Sequence, residues 1–175
     1  MISMDKEENL FKNHLRAQDK LDYVTGKNRP DVDCILCEII RDSNEVKKYK
    51  LHQDALSMVC LNLYPYNPGH LMISPVKHVT DFRELSKEEI LSISENVKRC
   101  QDLISELYNP IGFNVGFNQG GKLAGASIEH LHVHLVPRFR GELGYIDIIG
   151  STRVVVEGID TVFKKMKNLK PNFFT

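Results

Sequence analysis

Net charge is the first thing this 175-residue chain lacks: Lys and Arg number 23, and so do Asp and Glu. That balance argues against a polyanion-binding surface spread over the whole fold. Any affinity for phosphate has to be local, and nucleic acid is not an expected partner. Long apolar runs are missing too. No stretch is long enough to span a bilayer, and MISMDKEENL carries charges where a secretory signal has an apolar core. Neither repeats nor low-complexity tracts occur. The expectation is a soluble, cytoplasmic protein with no membrane partner, a single domain large enough to bury a core. Cysteine is sparse. Of the four, Cys60 and Cys100 lie in apolar settings and read as small core residues. Cys34 and Cys37 form a C-x-x-C, which in a reducing compartment is more often metal-binding or redox-active than a structural disulfide.

Residues 5 to 24 read as an amphipathic helical arm, followed by the turn-rich linker GKNRPDVD; arm and linker fill 1–30 and the main domain 31–175. KKYKLH has the pattern of an edge strand and LSMVCLNL of a buried one, and HLMISP follows the turn YPYNPG. LSKEEI opens the best helix, with Ser86 as N-cap and Glu89 completing a capping box. Ile90, Ile93, Val97, Cys100, Ile104 and Leu107 give it one apolar stripe, and Asn109-Pro110 ends it. GFNVGFN and LHVHLVP, the latter stopping at Pro137, read as strands around the loop GGKLAGAS. GYIDIIG and TRVVVEG are weaker strand candidates, and 159–169 has the pattern of a closing helix. The order predicts an α+β fold: an antiparallel sheet of about five strands, a long helix packed on it and a C-terminal helix.

The decisive stretch is EHLHVHLVPRF, residues 129–139. On a strand, His130, His132 and His134 share one face at roughly 6.6 Å intervals, while Leu131, Val133 and Leu135 face a core. Such a row suits a metal ion or, with neutral imidazoles, chemistry at a phosphate. The bland alternative is a cluster of buried, hydrogen-bonded histidines. The preceding loop tilts the balance toward phosphate. Gly120, Gly121 and Gly125 allow backbone N–H groups to approach an anion, and Asn118, Gln119 and Ser127 add polar side chains.

His130-Leu131-His132-Val133-His134-Leu135-Val136 resembles the signature of the histidine triad superfamily of nucleotide hydrolases and transferases. LNLYPYNPGHLMISP, GFNVGFNQGGKLAGASIEHLHVHLVPRF and IDIIGSTRVV are similar to its diadenosine tetraphosphate phosphorylase branch, so the likeness covers residues 34 to 165. It implies that His132 is the nucleophile attacking the α-phosphorus of a nucleotide. A covalent nucleotidyl-histidine forms and is then resolved by water or inorganic phosphate. A hydrogen bond from the other ring nitrogen of His132 to a backbone carbonyl would fix the reactive tautomer. The resemblance further implies that His134 contacts phosphate oxygens and His70 supports the network. Asn62 then meets the ribose and Gln119 lies near the bridging oxygen. Cys34, Cys37, His78 and His130 become a structural zinc set; no organic cofactor is implied, and a homodimer is expected, its arm or tail near the neighbour's pocket. Two departures stand out. Ala126, not glutamine, follows Gly125, which leaves Ser127 to serve near the leaving group. Phe139 stands where relatives tend to carry tryptophan. Three other readings stay open: a phosphoramidase, a slow nucleotide-binding regulatory module, and a metallohydrolase using the histidine row as ligands.

Overall fold

The computed structural model describes residues 30–121, 124–140 and 157–174. The arm expected over 5–24 and nearly all of the GYIDIIG and TRVVVEG candidates lie outside the described residues. Within them, five strands form one antiparallel sheet. They are β1 (Lys50–Gln53), β2 (Ser57–Leu61), β3 (Leu71–Pro75), β4 (Gly112–Gly116) and β5 (Val133–Arg138), in the spatial order β1-β2-β3-β5-β4. The α+β expectation holds.

Every residue of β2 and β3 is buried, which explains why their sequences do not alternate: both faces of the sheet are covered. Val59, Leu61, Leu71 and Ile73 pack with Leu103 and Ile104 of α2 (Lys87–Tyr108) and with Val162 and Met166 of α3 (Ile159–Leu169). Met58, Cys60 and Met72 point the other way, onto Leu36 and Ile39 of α1 (Ile35–Ile40) and onto Val46. The sequence reading assigns no element to ILCEII, because six residues carry too little periodicity. Burial of Leu36 and Ile39, three apart, and the Cys34 thiol accepting the Cys37 N–H at 3.4 Å set the helix instead.

The long helix starts as expected. Ser86 Oγ accepts the Glu89 N–H at 3.2 Å, and the Glu89 carboxylate accepts the Ser86 N–H at 2.7 Å. Its stripe is buried or packed on the core, and Leu103 joins it because the helix touches both the sheet and α3. Asn109 ends α2 in a left-handed turn at φ 46°. Asn96, on the same helix, donates to Asp54 Oδ2 at 2.9 Å and to Ser57 Oγ at 2.8 Å, while Asp54 Oδ1 accepts the Leu56 and Ser57 N–H groups at 2.7 Å each. That network pins the β1–β2 turn to α2.

β5 differs from the expected LHVHLVP span at both ends. It begins at Val133, because the Leu131 N–H is drawn to the Val79 carbonyl at 2.8 Å rather than into the ladder. It passes through Pro137 to Arg138. Pro137 is tolerated because its backbone polar side lies beyond the end of β3, where its carbonyl accepts from Asn67 Nδ2 at 2.6 Å. No helix among the described residues is long and apolar enough to cross a membrane.

Candidate active site and metal centre

Strand register decides which side chains meet. His134 pairs with Met72 of β3 and Gly116 of β4, so it projects on the α1 side of the sheet, while Leu135 pairs with Leu71 on the α2 side. The evenly spaced histidine row is corrected here. His132 and His134 are close, with ring centroids 4.7 Å apart and nearly perpendicular. His130 has left them: its Nδ1 lies 3.5 Å from the sulfurs of both Cys34 and Cys37. The two-residue period fails because the ladder starts only at Val133. The trio is divided between two clusters.

The first cluster holds His70, His132 and His134. His132 Nδ1–H donates to the His130 carbonyl at 2.8 Å, which leaves Nε2 carrying the lone pair. The Tyr66 N–H donates to His70 Nδ1 at 3.2 Å, so His70 bears its proton on Nε2 and gives it to His134 Nδ1 at 3.0 Å. His134 in turn presents Nε2–H. A chain of single hydrogen bonds thus fixes three tautomers. Burial lowers His132 below the ordinary imidazole range and holds His134 down at about 4, so both rings are neutral near pH 7.

The turn before His70 is built to hold it. The His70 N–H donates to the Asn67 carbonyl at 3.1 Å. Gly69 adopts φ 85°, where an added Cβ would also meet Met166 and Tyr108 at 3.4 Å. Asn62 lies beside this turn. Its Oδ1 accepts the Tyr64 N–H at 2.9 Å, and its amide nitrogen sits 3.5 Å from His70 Nε2, a contact rather than a bond because that nitrogen already donates to His134.

Other expected site residues are placed differently. Gln119 Oε1 accepts the Phe82 N–H at 2.9 Å and so anchors the loop to the turn before α2. Asn118 Nδ2 donates to the Gly125 carbonyl at 3.4 Å, and Ser127 is exposed on the way into His130. The N–H groups of Ala124 and Ala126 both go to the Gly121 carbonyl, at 3.0 and 3.1 Å. Those two loop amides, which are not among the glycine amides expected to approach an anion, are therefore turned inward. Sequence reasoning passed over Tyr66 and Asn67, whose only signal was their place in the turn between two buried strands.

The second cluster gathers Cys34, Cys37, His78 and His130, one ligand atom from each, all within 4.8 Å of one another. Zinc bonds of about 2.0–2.3 Å give tetrahedral edges of roughly 3.3–3.8 Å. Cys37 Sγ to His78 Nδ1 is 3.2 Å, and both sulfurs are 3.5 Å from His130 Nδ1, so the set fits such an ion. His130 Nε2–H donates to the Pro75 carbonyl at 3.0 Å, which aims Nδ1 at the sulfurs. Burial pushes the Cys37 thiol up to about 11 and His130 down to about 4. A cation that draws the proton off Cys37 and uses the neutral ring relieves both.

A family model described as the HIT domain matches residues 43–141. A diadenosine tetraphosphate (AP-4-A) phosphorylase of Mycobacterium tuberculosis is 43% identical over 95 residues, 54% of this chain and 49% of that one. The chain thus aligns with about half the length of that relative. An uncharacterized HIT-like protein of Methanocaldococcus jannaschii is 30% identical over 134 residues, 77% of this chain and 98% of that one. Among solved structures, a zinc-bound histidine triad family protein from Mycobacterium smegmatis superposes with a TM-score of 0.65 at 21% identity, covering 80% of this chain and 94% of that one.

Proposed function

We infer the reaction from the family: the chain belongs to the histidine triad (HIT) domain family. We propose that it is an enzyme of phosphoanhydride bonds that cleaves dinucleoside polyphosphates, diadenosine tetraphosphate in particular. The observation carrying this reading is the His132 Nδ1–H bond to the His130 carbonyl, which presents a neutral Nε2 lone pair. In the proposed reaction Nε2 attacks the α-phosphorus, a P–N bond forms, and the P–O bond to the remaining phosphate chain breaks. Water or inorganic phosphate then takes the nucleotidyl group and frees His132. His134, through its Nε2–H, is assigned to the phosphate oxygens, His70 to holding His134, and Asn62 to the ribose. Asn118, Gly125 and Ser127 are assigned to the phosphate chain. Gln119 belongs to this reading only if its bond to Phe82 opens. Zinc held by Cys34, Cys37, His78 and His130 serves as a structural tie among α1, the His78 segment and the approach to β5.

The test is incubation with diadenosine tetraphosphate, with and without inorganic phosphate, and resolution of the nucleotides. ATP plus ADP formed only with phosphate indicates phosphorolysis. ATP plus AMP, or ADP alone, indicates hydrolysis. No conversion with nucleotide binding retained marks a binding module and defeats the enzyme reading. Phosphoramidase activity is the second reading, favoured by an adenosine 5'-monophosphoramidase of Schizosaccharomyces pombe that is 29% identical over 113 residues, 65% of this chain and 80% of that one. A second copy of the chain is the proposed partner at β4, which lies at an edge of the sheet among the described residues, carries exposed Val115 and is flanked by exposed Ile111 and Phe117. Light scattering reads that directly, and a monomer at micromolar concentration sinks it.

A further inference from the structure

Gly116 closes β4, and the usual backbone reasons for a glycine in a strand do not apply to it. It is not in the left-handed region, which among the described glycines is reached at Gly69, Gly120, Gly121 and Gly125. The β4–β5 register runs from Gly112 opposite Arg138 to Gly116 opposite His134 without a bulge. Nothing among the described residues lies within 4 Å of a Cβ built on Gly116, so neither backbone nor side chain presses on the position. The residue is also exposed. Glycine weakens a strand, and what remains among its uses there is the close approach of a ligand.

Strand pairing locates the open space. Residues paired across antiparallel strands project on one face, with Cβ atoms about 4.5–5.5 Å apart. A Cβ at 116 would therefore stand beside His134, on the α1 side of the sheet. His134 Nδ1 accepts from His70, the residue before β3, and the two nitrogens of an imidazole face different ways. The His134 Nε2–H is thus aimed away from His70, and β4 lies across β5 from β3. We propose that the space left by the missing side chain of Gly116 is filled by the phosphate group of the bound nucleotide, beside His134. The inference rests on the nucleotide reading above and deepens it, by naming a position that sets what the site admits. A side chain at 116 would compete for that space, the more so the larger it is.

Calorimetry on the unaltered protein first measures AMP binding. Gly116→Ala is expected to weaken it by about fivefold and Gly116→Val by at least about thirtyfold. The melting temperature of both variants should stay level or rise, because a larger residue suits a strand better and here meets open space. Gly112→Val makes the same change about 13 Å along β4, again where nothing described lies within 4 Å of the added Cβ. It should bind AMP within about twofold of the unaltered chain. Light scattering shows whether each variant keeps the oligomeric state of the unaltered chain. A Gly116→Val variant that binds AMP as tightly as the unaltered chain overturns the assignment of Gly116 alone, and so does an equal loss in Gly112→Val. Weakened binding together with a lower melting temperature or an altered oligomeric state also overturns it, giving the glycine to the fold or to contact between copies. No AMP binding to the unaltered chain overturns the nucleotide reading, and the role of Gly116 with it.

Discussion

His70 never reaches the reacting phosphorus in this scheme, yet it sets what His134 can offer. Its ring takes one hydrogen bond from the Tyr66 N–H at 3.2 Å and gives one to His134 Nδ1 at 3.0 Å. His70→Ala removes both and leaves two polar groups without those partners in a site where His70 is fully buried. Each loss costs about 1–3 kcal/mol, so the two together cost roughly 2–6 kcal/mol, to which the cavity adds. The bond that holds the His134 tautomer is itself worth about 1–1.5 kcal/mol, or roughly tenfold in rate if it acts only in the transition state. Glutamine separates the two effects. Its side-chain amide can occupy the place of Nε2–H and donate to His134, although it leaves the Tyr66 N–H without its imidazole acceptor.

The expected order for nucleotidyl transfer is therefore wild type, then His70→Gln within about tenfold, then His70→Ala slower by a further factor of roughly ten. Single-turnover formation of the nucleotidyl-protein gives the rates, and nitrogen-15 shifts of the histidine rings give the His134 tautomer. Thermal melts show whether each variant is folded. A folded alanine variant that keeps His134 as the Nε2–H tautomer and transfers at the wild-type rate would refute the relay.

Protein purified without a His tag should carry about one equivalent of zinc, and Cys34→Ser with Cys37→Ser should lose it together with amide protection in α1; less than about half an equivalent counts against the site. His134 is held at about 4 against 6.5 in the unfolded chain, and burial also lowers His52. As pH falls below 6.5 the unfolded chain binds protons first, so the stability that His134 contributes should be lost between pH 6.5 and about 4. His134 is only partly buried, so its share is roughly 1–2 kcal/mol after solvent screening; denaturant midpoints at pH 7 and 5, compared with His134→Asn, measure it, and an unchanged pH dependence in the variant contradicts it. Asp54→Ala should cost roughly 2–4 kcal/mol by freeing the β1–β2 turn from Asn96, with catalytic rate unchanged; equal stability would show the network to be incidental.

Where regular periodicity carries through several residues, this sequence is legible. The α2 stripe, the Ser86–Glu89 capping box, the five strands and the closing helix all follow from local pattern. Legibility fails where tertiary contacts overrule it. α1 is too short to announce itself, and its two buried residues make sense only once β2 and β3 are known to bury both faces. The two-residue period of the histidines correctly sends Leu131 and Leu135 into the core. It misplaces His130 because one hydrogen bond, Leu131 N–H to Val79 carbonyl, draws the chain out of the ladder before Val133. The Gln119 contact is likewise a tertiary one that local pattern does not announce: its Oε1 accepts the Phe82 N–H at 2.9 Å.

That displaced residue also joins the two clusters. The His130 ring faces the thiols while its carbonyl accepts the His132 proton, and the two functions constrain each other through a single peptide unit. A ring at 130 directed at the sulfurs and bonded through Nε2 to the Pro75 carbonyl has little rotational freedom left. The carbonyl two residues before His132 is correspondingly fixed. An acceptor at 2.8 Å from His132 Nδ1 tolerates little displacement before the bond is lost, and with it the preference for the tautomer whose lone pair lies on Nε2. A trio of histidines in alternation thus need not be three copies of one role. The first secures backbone geometry, the second presents the lone pair, and the third receives its orientation from a separate turn through His70.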